Sequence, residues 1–248
     1  MNTFETQTVR EIAIHNPAAI RVFDTFGIDY CCGGNRPIEE ACKKAEVRID
    51  AVLGALNAVE AVSAQPEERE WATAHLADLA AHIVDRHHAY VREETPRIER
   101  LLQKVVKAHG KNHPEVADIE ETFAALSGEL SLHMLKEERV LFPFIGHLEA
   151  AMQTGGAMPF GCFASVEMPI SRMLADHDDA GALLAKIRAL SNNYSVPDAA
   201  CPTYRSLYAG LEAFERDLHH HVHLENNMLF PRAVAIERTL EEKAHVLR

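Results

Sequence analysis

The chain has 248 residues, of which 47% are hydrophobic and 25% are charged, and its formal net charge is −12. This composition is ordinary for a globular protein, and the negative charge disfavours non-specific binding to nucleic acid or anionic lipid. No apolar run approaches the length of a membrane span, and the N-terminus lacks the pattern of a secretory signal. Five cysteines, two of them adjacent, do not suggest a disulfide framework. We therefore expect a cytoplasmic protein with no membrane or nucleic-acid partner. Fifteen histidines are a first compositional hint of metal chemistry.

Residues 1–62 predict a small helical N-terminal domain that contains a loop with two cysteines. Thr8 and Glu11 have the spacing of a capping box, and Asn16 before Pro17 predicts the start of a second helix. Gly27 is a natural stop for that helix, and the Gly-rich stretch GIDYCCGGNRP follows. Further helices are predicted over residues 38–46 and 50–62.

The polar stretch SAQPEER at 63–69 predicts a domain boundary. Residues 70–240 predict four long helices, because helical apolar periodicity is frequent and no alternating strand pattern appears. Turn-like stretches at 109–115, 154–161 and 192–202 separate these helices. The expected fold class is all-α, with an antiparallel four-helix bundle that follows the small N-terminal domain along the chain.

An internal repeat connects the second and fourth long helices. HMLKEERVLFP (133–143) and HVHLENNMLFP (221–231) share the pattern H-x-x-x-E-x-x-x-L-F-P. The first and third helices each carry a histidine near their middle, at His88 and His177. Spacings of 45, 44 and 44 residues between these four histidines predict two helix hairpins that build one site.

Helical periodicity selects which histidines face the core. His221 and Glu225 lie on an otherwise apolar line with Leu218 and Met228, whereas His219, His220 and His223 fall on the flanks. The same test favours His133 with Glu137, and it favours His88 over His87. Residues four apart share a helix face, so each His/Glu pair can reach a common point. For the flanking histidines we expect solvent exposure or contact with the ligand residues.

A buried set of four histidines and two glutamates predicts a metal centre. Core glutamates are costly unless they are paired or bound to metal, and no Lys or Arg lies beside them on these lines. The alternative is a polar core in which the histidines hydrogen-bond the glutamates. Six ligands are too many for one tetrahedral zinc and suit a dinuclear site, although ligand type does not choose among Fe, Mn, Co and Zn. The candidate ligands are His88, His133, Glu137, His177, His221 and Glu225. The His-x-x-x-Glu order differs from the Glu-x-x-His order of ferritin-like sites.

These motifs resemble the hemerythrin-like di-iron proteins. The single core histidine per helix, together with GIDYCCGG, is similar to the iron–sulfur cluster repair di-iron family (RIC family). Its further markers are His88–Pro96, DHDDAG around His177 and HLENNMLFPR at 223–232; Thr95 departs from the usual leucine. The resemblance covers nearly the whole chain.

The resemblance implies a cytoplasmic non-haem centre of two iron ions, bridged by an oxo or hydroxo group. It also implies a role in repairing iron–sulfur clusters damaged by nitric oxide or oxidative stress, by iron donation, by nitric oxide reduction or by both. Whether the protein is an enzyme stays open at this point. The implied partners are damaged iron–sulfur proteins, with nitric oxide or oxygen as small ligands. A homodimer is a further candidate assembly, and the sequence leaves open whether the small N-terminal domain mediates it.

Cys31 and Cys32 are neighbours across one peptide bond, where an ordinary disulfide is disfavoured because their Cα atoms lie only about 3.8 Å apart. The flanking glycines predict an approachable loop. Two interpretations of the cysteine pair remain. The two residues are either small side chains that pack in the loop, or a thiol pair with a redox or transfer role. The resemblance favours the second interpretation. Cys42, Cys162 and Cys201 carry no motif, and for them we expect buried free thiols.

Two other functions compete with cluster repair. One is a hemerythrin-like carrier or sensor of oxygen or nitric oxide, against which the four rather than five histidines argue. The other is a purely structural bundle with a polar core.

Overall fold

The structure is a computed structural model that describes residues 3–60, 71–198 and 200–246. These residues form helices and short turns without a β-strand, which confirms the all-α prediction. The predicted boundary at 63–69 and the end of the helix near residue 62 lie outside the described residues. Within the described ranges, no helix combines the length and the apolar character needed to cross a bilayer.

The chain divides into two compact units. The first unit holds the described residues of 1–80, 145–160 and 219–248, and the second holds 81–144 and 161–218. The first unit opens with a 3₁₀ turn, Thr3–Thr6, and four short helices. They are α1 (Val9–His15), α2 (Ala19–Phe26), α3 (Ile38–Lys44) and α4 (Ile49–Glu60).

The start of α1 and the end of α2 follow the sequence prediction. Thr8 accepts a hydrogen bond from the N–H of Glu11, whose carboxylate accepts one from the N–H of Thr8, and Gly27 ends α2 in the left-handed conformation. The predicted cap at Asn16 is wrong. Asn16 closes α1 through a bond to Ile12, and its carbonyl accepts from the N–H of Ala19 in a turn that delays the start of α2.

The short helices enclose an apolar cluster, whose burial is the main stabilisation available to a domain of this size. Its largest members include Ile12, Phe23, Tyr30, Ile38 and Leu56. Residues of the loop between α2 and α3 take part, because Ile28 and Tyr30 are buried in the same cluster. The first residues of the loop with the two cysteines are therefore held in the apolar cluster.

The remaining helices run in chain order with three π-helical segments among the described residues. They are α5 (Leu76–His82), π1 (Ile83–His88), α6 (Ala89–His109), α7 (Glu115–Lys136), π2 (Glu137–Leu141), α8 (Phe142–Thr154), α9 (Glu167–Leu190), α10 (Pro202–His223), π3 (Leu224–Leu229) and α11 (Phe230–Val246).

The second unit is a four-helix bundle built from α6, α7, α9 and the larger part of α10. Helix α7 packs against both α6 and α9. Phe214 of α10 lies against Phe123 of α7, with ring centroids 5.3 Å apart, and against Tyr90 of α6 at 6.3 Å. Short turns join α6 to α7 and α9 to α10, so each of these pairs is antiparallel. The predicted bundle is confirmed.

The π segments explain the repeated L-F-P ending. The N–H of Phe142 bonds to the carbonyl of Glu137, and the N–H of Phe230 bonds to the carbonyl of Glu225, each five residues back. A proline follows each phenylalanine at the start of the next α-helix, where a missing N–H costs little. In both copies of the motif, the phenylalanine N–H thus closes a π turn on the carbonyl of the glutamate.

Candidate metal centre

Four predicted ligands belong to the second unit, and all four are buried. His88 ends π1, His133 lies on α7, Glu137 opens π2 and His177 lies on α9. None of them is more than 3% exposed. The predicted burial of these side chains is therefore confirmed.

The ligating atoms of these four residues converge. Oε2 of Glu137 lies 3.4 Å from Nε2 of His88 and 3.3 Å from Nε2 of His133. Nε2 of His133 lies 3.1 Å from Nε2 of His177. The atoms that His133, Glu137 and His177 offer all lie within 4.8 Å of one another. Two ligands bound at about 2.1 Å to one ion are separated by roughly 3–3.5 Å, so this donor set fits a divalent cation with imidazole and carboxylate ligation.

Glu138 orients His88 from outside the cluster. Its Oε1 lies 2.7 Å from Nδ1 of His88, and it also contacts Arg92. Burial raises the pKa of Glu138, but its bonds to His88 and Arg92 outweigh burial and leave the pKa lowered. An ionised Glu138 accepts a hydrogen bond from Nδ1–H of His88, which leaves Nε2 directed towards the other candidate ligands.

Asp176 does the same for His133. Its Oδ2 lies 3.5 Å from Nδ1 of His133 and 2.7 Å from Nζ of Lys136, and its Oδ1 lies 2.9 Å from Nε of Arg172. Burial raises the pKa of Asp176, while Lys136 and Arg172 lower it further than burial raises it. Asp176 is therefore a carboxylate whose negative charge faces Nδ1 of His133.

Glu138 and Asp176 were not predicted from the sequence. Each is adjacent to a predicted ligand, Glu137 or His177, but a neighbour along a helix points about 100° away and serves a different histidine. A search for a carboxylate beside each ligand would have found both residues without assigning their partners.

The other two predicted ligands belong to the first unit. Nε2 of His221 lies 2.9 Å from Oε1 of Glu225, and both side chains are at most 1% exposed. The pair spans the end of α10 and the start of π3, as the four-residue spacing predicted. It offers one imidazole and one carboxylate.

His223 is fully buried, which its predicted place on the flank of the helix did not suggest. Its Nδ1 lies 2.8 Å from Nδ2 of Asn227, and the ring of Tyr30 packs against it at 5.6 Å. Burial, helped by His220, lowers the pKa of His223 to about 3, so the ring is neutral at physiological pH. The side chain is buried because the loop after α2 covers this face of the helix.

His87 is also buried, although the sequence favoured His88 over His87 as the histidine that faces the core. Its Nδ1 lies 3.1 Å from Oδ2 of Asp217. His87 and His88 both belong to π1, and the wider π turn allows adjacent positions to face inward.

The cysteine loop is tied to π3 within the first unit. Asn227 donates to the carbonyl of Tyr30 at 2.9 Å, Asn226 donates to that of Cys31 at 3.3 Å, and Arg10 donates to the carbonyl of Asn227 at 3.0 Å. A Cβ at Gly34 would come within 2.8 Å of the Tyr30 carbonyl. The glycine here permits close packing of the loop.

The thiols of Cys31 and Cys32 lie side by side, with their sulfur atoms 3.8 Å apart and no disulfide bond between them. Oδ1 of Asp29 accepts from the N–H groups of both cysteines, at 3.2 Å and 2.9 Å. The hydrogen bond to Cys32 and burial raise the pKa of Cys31. Asp29, Cys31 and Cys32 together have the spacing of a small metal-binding group.

The remaining three cysteines differ in exposure. Cys42 is buried as expected, whereas Cys162 is exposed and Cys201 is partly exposed. The expectation of burial is wrong for Cys162 because it lies in the irregular segment that precedes α9.

A helical bundle whose core presents several imidazoles and carboxylates belongs to the class of cation-binding bundle proteins. Comparison with known families agrees: residues 79–233 match the model of the hemerythrin HHE cation binding domain, and residues 5–60 match a domain of unknown function, DUF542. The chain belongs to the hemerythrin HHE family.

Similar curated proteins extend over nearly the whole chain. An iron-sulfur cluster repair protein, YtfE, of Pectobacterium atrosepticum is 38% identical over 93% of this chain and 98% of its own length. A probable iron-sulfur cluster repair protein of Haemophilus influenzae is 34% identical over 94% and 98%. YtfE of Escherichia coli O1:K1 is 35% identical over 94% and 99%. The resemblance predicted from the sequence motifs is confirmed.

Proposed function

We propose that this chain is a non-haem di-iron protein that repairs iron–sulfur clusters damaged by nitric oxide or oxidative stress, in the cytoplasm. The observation that carries the proposal is the buried convergence of Glu137 with His88 and His133, in a chain whose relatives are named as cluster repair proteins. Damaged iron–sulfur proteins are the partners that this role requires.

We propose that His88, His133, Glu137, His177, His221 and Glu225 together hold two iron ions. The repeat supports a symmetric arrangement, in which each His-x-x-x-Glu pair contributes the same two donors. When bound, the iron pair supplies redox chemistry and a position for a small ligand such as nitric oxide or oxygen. Glu137 and Glu225 each offer two carboxylate oxygens, which suits bridging.

The protein's own contribution is to hold the ligands in place and to exclude water. Glu138 and Asp176 fix the outward Nδ1 atoms of His88 and His133, so that both Nε2 atoms keep their direction when iron leaves or enters. Because Glu137 is fully buried, its negative charge is costly without a cation, which favours retention of metal.

We propose a redox or metal-transfer role for Cys31 and Cys32. The support is their adjacency to each other and to Asp29, which places two soft thiols and one carboxylate within reach of one ion. The raised pKa of Cys31 keeps the resting thiol protonated, so metal binding at the loop would release protons.

Metal analysis of the purified chain tests the di-iron proposal. We expect about two iron ions per chain, and loss of iron in His133→Ala and in Glu225→Ala. His147→Ala is the matched control, since His147 is an exposed helical histidine. Full iron occupancy in either ligand variant would refute the assignment of that residue.

Function is tested on the iron-loaded protein by restoring a nitric oxide-damaged cluster enzyme, with nitric oxide consumption measured in parallel. Repair without nitric oxide consumption would identify an iron donor, and consumption over many turnovers with an added electron donor, in the absence of a client, would identify a reductase. A stable and reversible oxygen adduct without repair would instead favour a carrier or sensor.

A further inference from the structure

A cysteine and a histidine meet at the end of the second unit, away from the residues that we assign to metal. Cys201 precedes α10 and occupies the N-cap position, because its carbonyl accepts the first helical bond, from the N–H of Arg205. The backbone N–H groups of Tyr204 and Thr203, in the first turn of α10, lower the pKa of its thiol. A thiolate at this position lies at the first turn of α10, whose N–H groups lack helical partners.

His109 is the last residue of α6, and its Nε2 lies 3.2 Å from the Cys201 sulfur. The C-terminus of α6 favours a positive charge, and the N-terminus of α10 favours a negative one. The N-terminus of α10 therefore favours a thiolate at Cys201, and Cys201 and His109 form a hydrogen-bonded pair at these helix ends. This pair is a nucleophile with its own proton acceptor in hydrogen-bond contact.

Tyr204 holds His109 in this orientation. The edge of the His109 ring meets the ring of Tyr204 at 5.5 Å, and the hydroxyl of Tyr204 is tied to that of Tyr208 at 3.1 Å. The ring of His113 also packs against the ring of Tyr204, with centroids 5.6 Å apart. Nδ1 of His113 lies 3.0 Å from Oε1 of Glu115. Tyr204, Tyr208, His113 and Glu115 are thus titratable groups that lie near the Cys201–His109 pair.

We propose that Cys201 is a site of reversible S-thiolation by a low-molecular-weight disulfide such as oxidised glutathione. The Cys201 thiolate attacks one sulfur of the disulfide, a new S–S bond forms to Cys201 and the original S–S bond breaks. The departing thiolate leaves as the second product and takes a proton from solvent. A small thiol reverses the same exchange, so no further oxidant or reductant is required.

The surroundings of Cys201 determine how reactive its thiol is, because they lower its pKa. The N–H of Tyr204 and the contact with His109 lower the pKa of Cys201 to about 7. At pH 7 about half of such a thiol is ionised, against about 3% for an ordinary one with a pKa near 8.5. The lower pKa also reduces intrinsic nucleophilicity, by about fivefold. Cys201 should therefore react faster than an ordinary thiol, by about threefold at pH 7 and about sixfold at pH 6.

Site-resolved alkylation of the full chain with iodoacetamide tests this advantage. Peptide mass spectrometry follows Cys201 and, as an internal reference, the exposed Cys162 across pH 5.5–9. We expect the rate at Cys201 to rise with a midpoint near pH 7 and to exceed that at Cys162 about sixfold at pH 6. Equal profiles for the two thiols would overturn the proposal, and this comparison needs no variant.

His109→Gln tests the pair itself, with His113→Gln as the matched control. We expect the midpoint at Cys201 to rise in His109→Gln and to stay unchanged in His113→Gln; an unchanged midpoint in His109→Gln would refute the role of His109. Incubation with oxidised glutathione completes the test. A mixed disulfide that maps to Cys201 and is removed by reduced glutathione supports the proposal, whereas no adduct at Cys201 refutes it.

Discussion

Asp176 precedes the predicted ligand His177 in sequence, yet its carboxylate lies 3.5 Å from Nδ1 of His133 on another helix. It is held there by Lys136 and Arg172. The carboxylate therefore supports a ligand that the sequence neighbourhood does not indicate.

We predict that Asp176→Asn lowers the affinity for iron by about 10- to 100-fold without removing the fold. The neutral amide removes the negative charge that favours an Nδ1–H on His133, so Nε2 becomes a poorer ligand. Competition against a graded chelator, followed by iron analysis, measures the change. Asp178→Asn is the control, because Asp178 is exposed two residues further along α9. Equal losses in both variants would show that the effect is only one of net charge.

Periodicity in the sequence was sufficient to find the buried side chains that we propose as ligands, because a histidine or glutamate on an apolar helical line is conspicuous. His133 with Glu137 and His221 with Glu225 could be predicted in this way. The same rule failed for His87 and His223. It assumes regular α-helix and a helix face covered only by other bundle helices, whereas His87 lies in a π turn and His223 is covered by the loop that carries Tyr30.

The contacts made by Glu138 and Asp176 depend on distances between helices, which the sequence of either helix does not contain. The Cys201–His109 pair is missed for the same reason, since 92 residues separate its members. Local patterns therefore predict which side chains are buried more readily than they predict which side chains meet.

We predict that Asn227→Ala loosens the cysteine loop. Asn227 donates at 2.9 Å to the Tyr30 carbonyl and lies 2.8 Å from Nδ1 of His223, so the variant loses two buried hydrogen bonds. A loss of about 1–3 kcal/mol would increase transient opening of the loop by about 5- to 150-fold. The rate of thiol labelling at Cys31 measures opening, because this thiol is buried.

Asn226→Ala is the matched control for the loop. Asn226 makes a longer bond, of 3.3 Å, to the carbonyl of Cys31, and we expect a smaller increase in labelling. A larger increase in Asn226→Ala than in Asn227→Ala would contradict the role given to Asn227.

We predict that Thr8→Ala destabilises the first unit by about 1 kcal/mol. The hydroxyl of Thr8 accepts from the N–H of Glu11 at 3.2 Å, and the substitution leaves that N–H without its cap. Urea unfolding followed by circular dichroism measures the change. Thr25→Ala is the control: Thr25 is an exposed helical threonine bonded to the carbonyl of Arg21, and its loss should cost little. Equal destabilisation by both substitutions would exclude a specific capping effect.

Asp29 makes the stability of the cysteine loop sensitive to acid. Burial raises its pKa, but the N–H groups of Gly33 and Cys32 and the thiol of Cys31 lower it further, so the net shift is downward. A carboxyl group with a lowered pKa stabilises the folded state above its unfolded pKa of about 3.9, and this contribution is lost as pH falls through the folded pKa.

We therefore predict that Asp29→Asn destabilises the protein by about 1–3 kcal/mol at pH 7, because the amide accepts hydrogen bonds less strongly than the carboxylate. The difference in the free energy of unfolding between the variant and the wild type should stay constant down to about pH 4.5. It should become smaller only at lower pH. Urea midpoints at a series of pH values measure it. In Asp50→Asn, which removes a carboxylate that is 80% exposed, we expect little change at any pH. A difference that narrowed between pH 7 and pH 5 would contradict the downward shift, since it would require a raised pKa at Asp29.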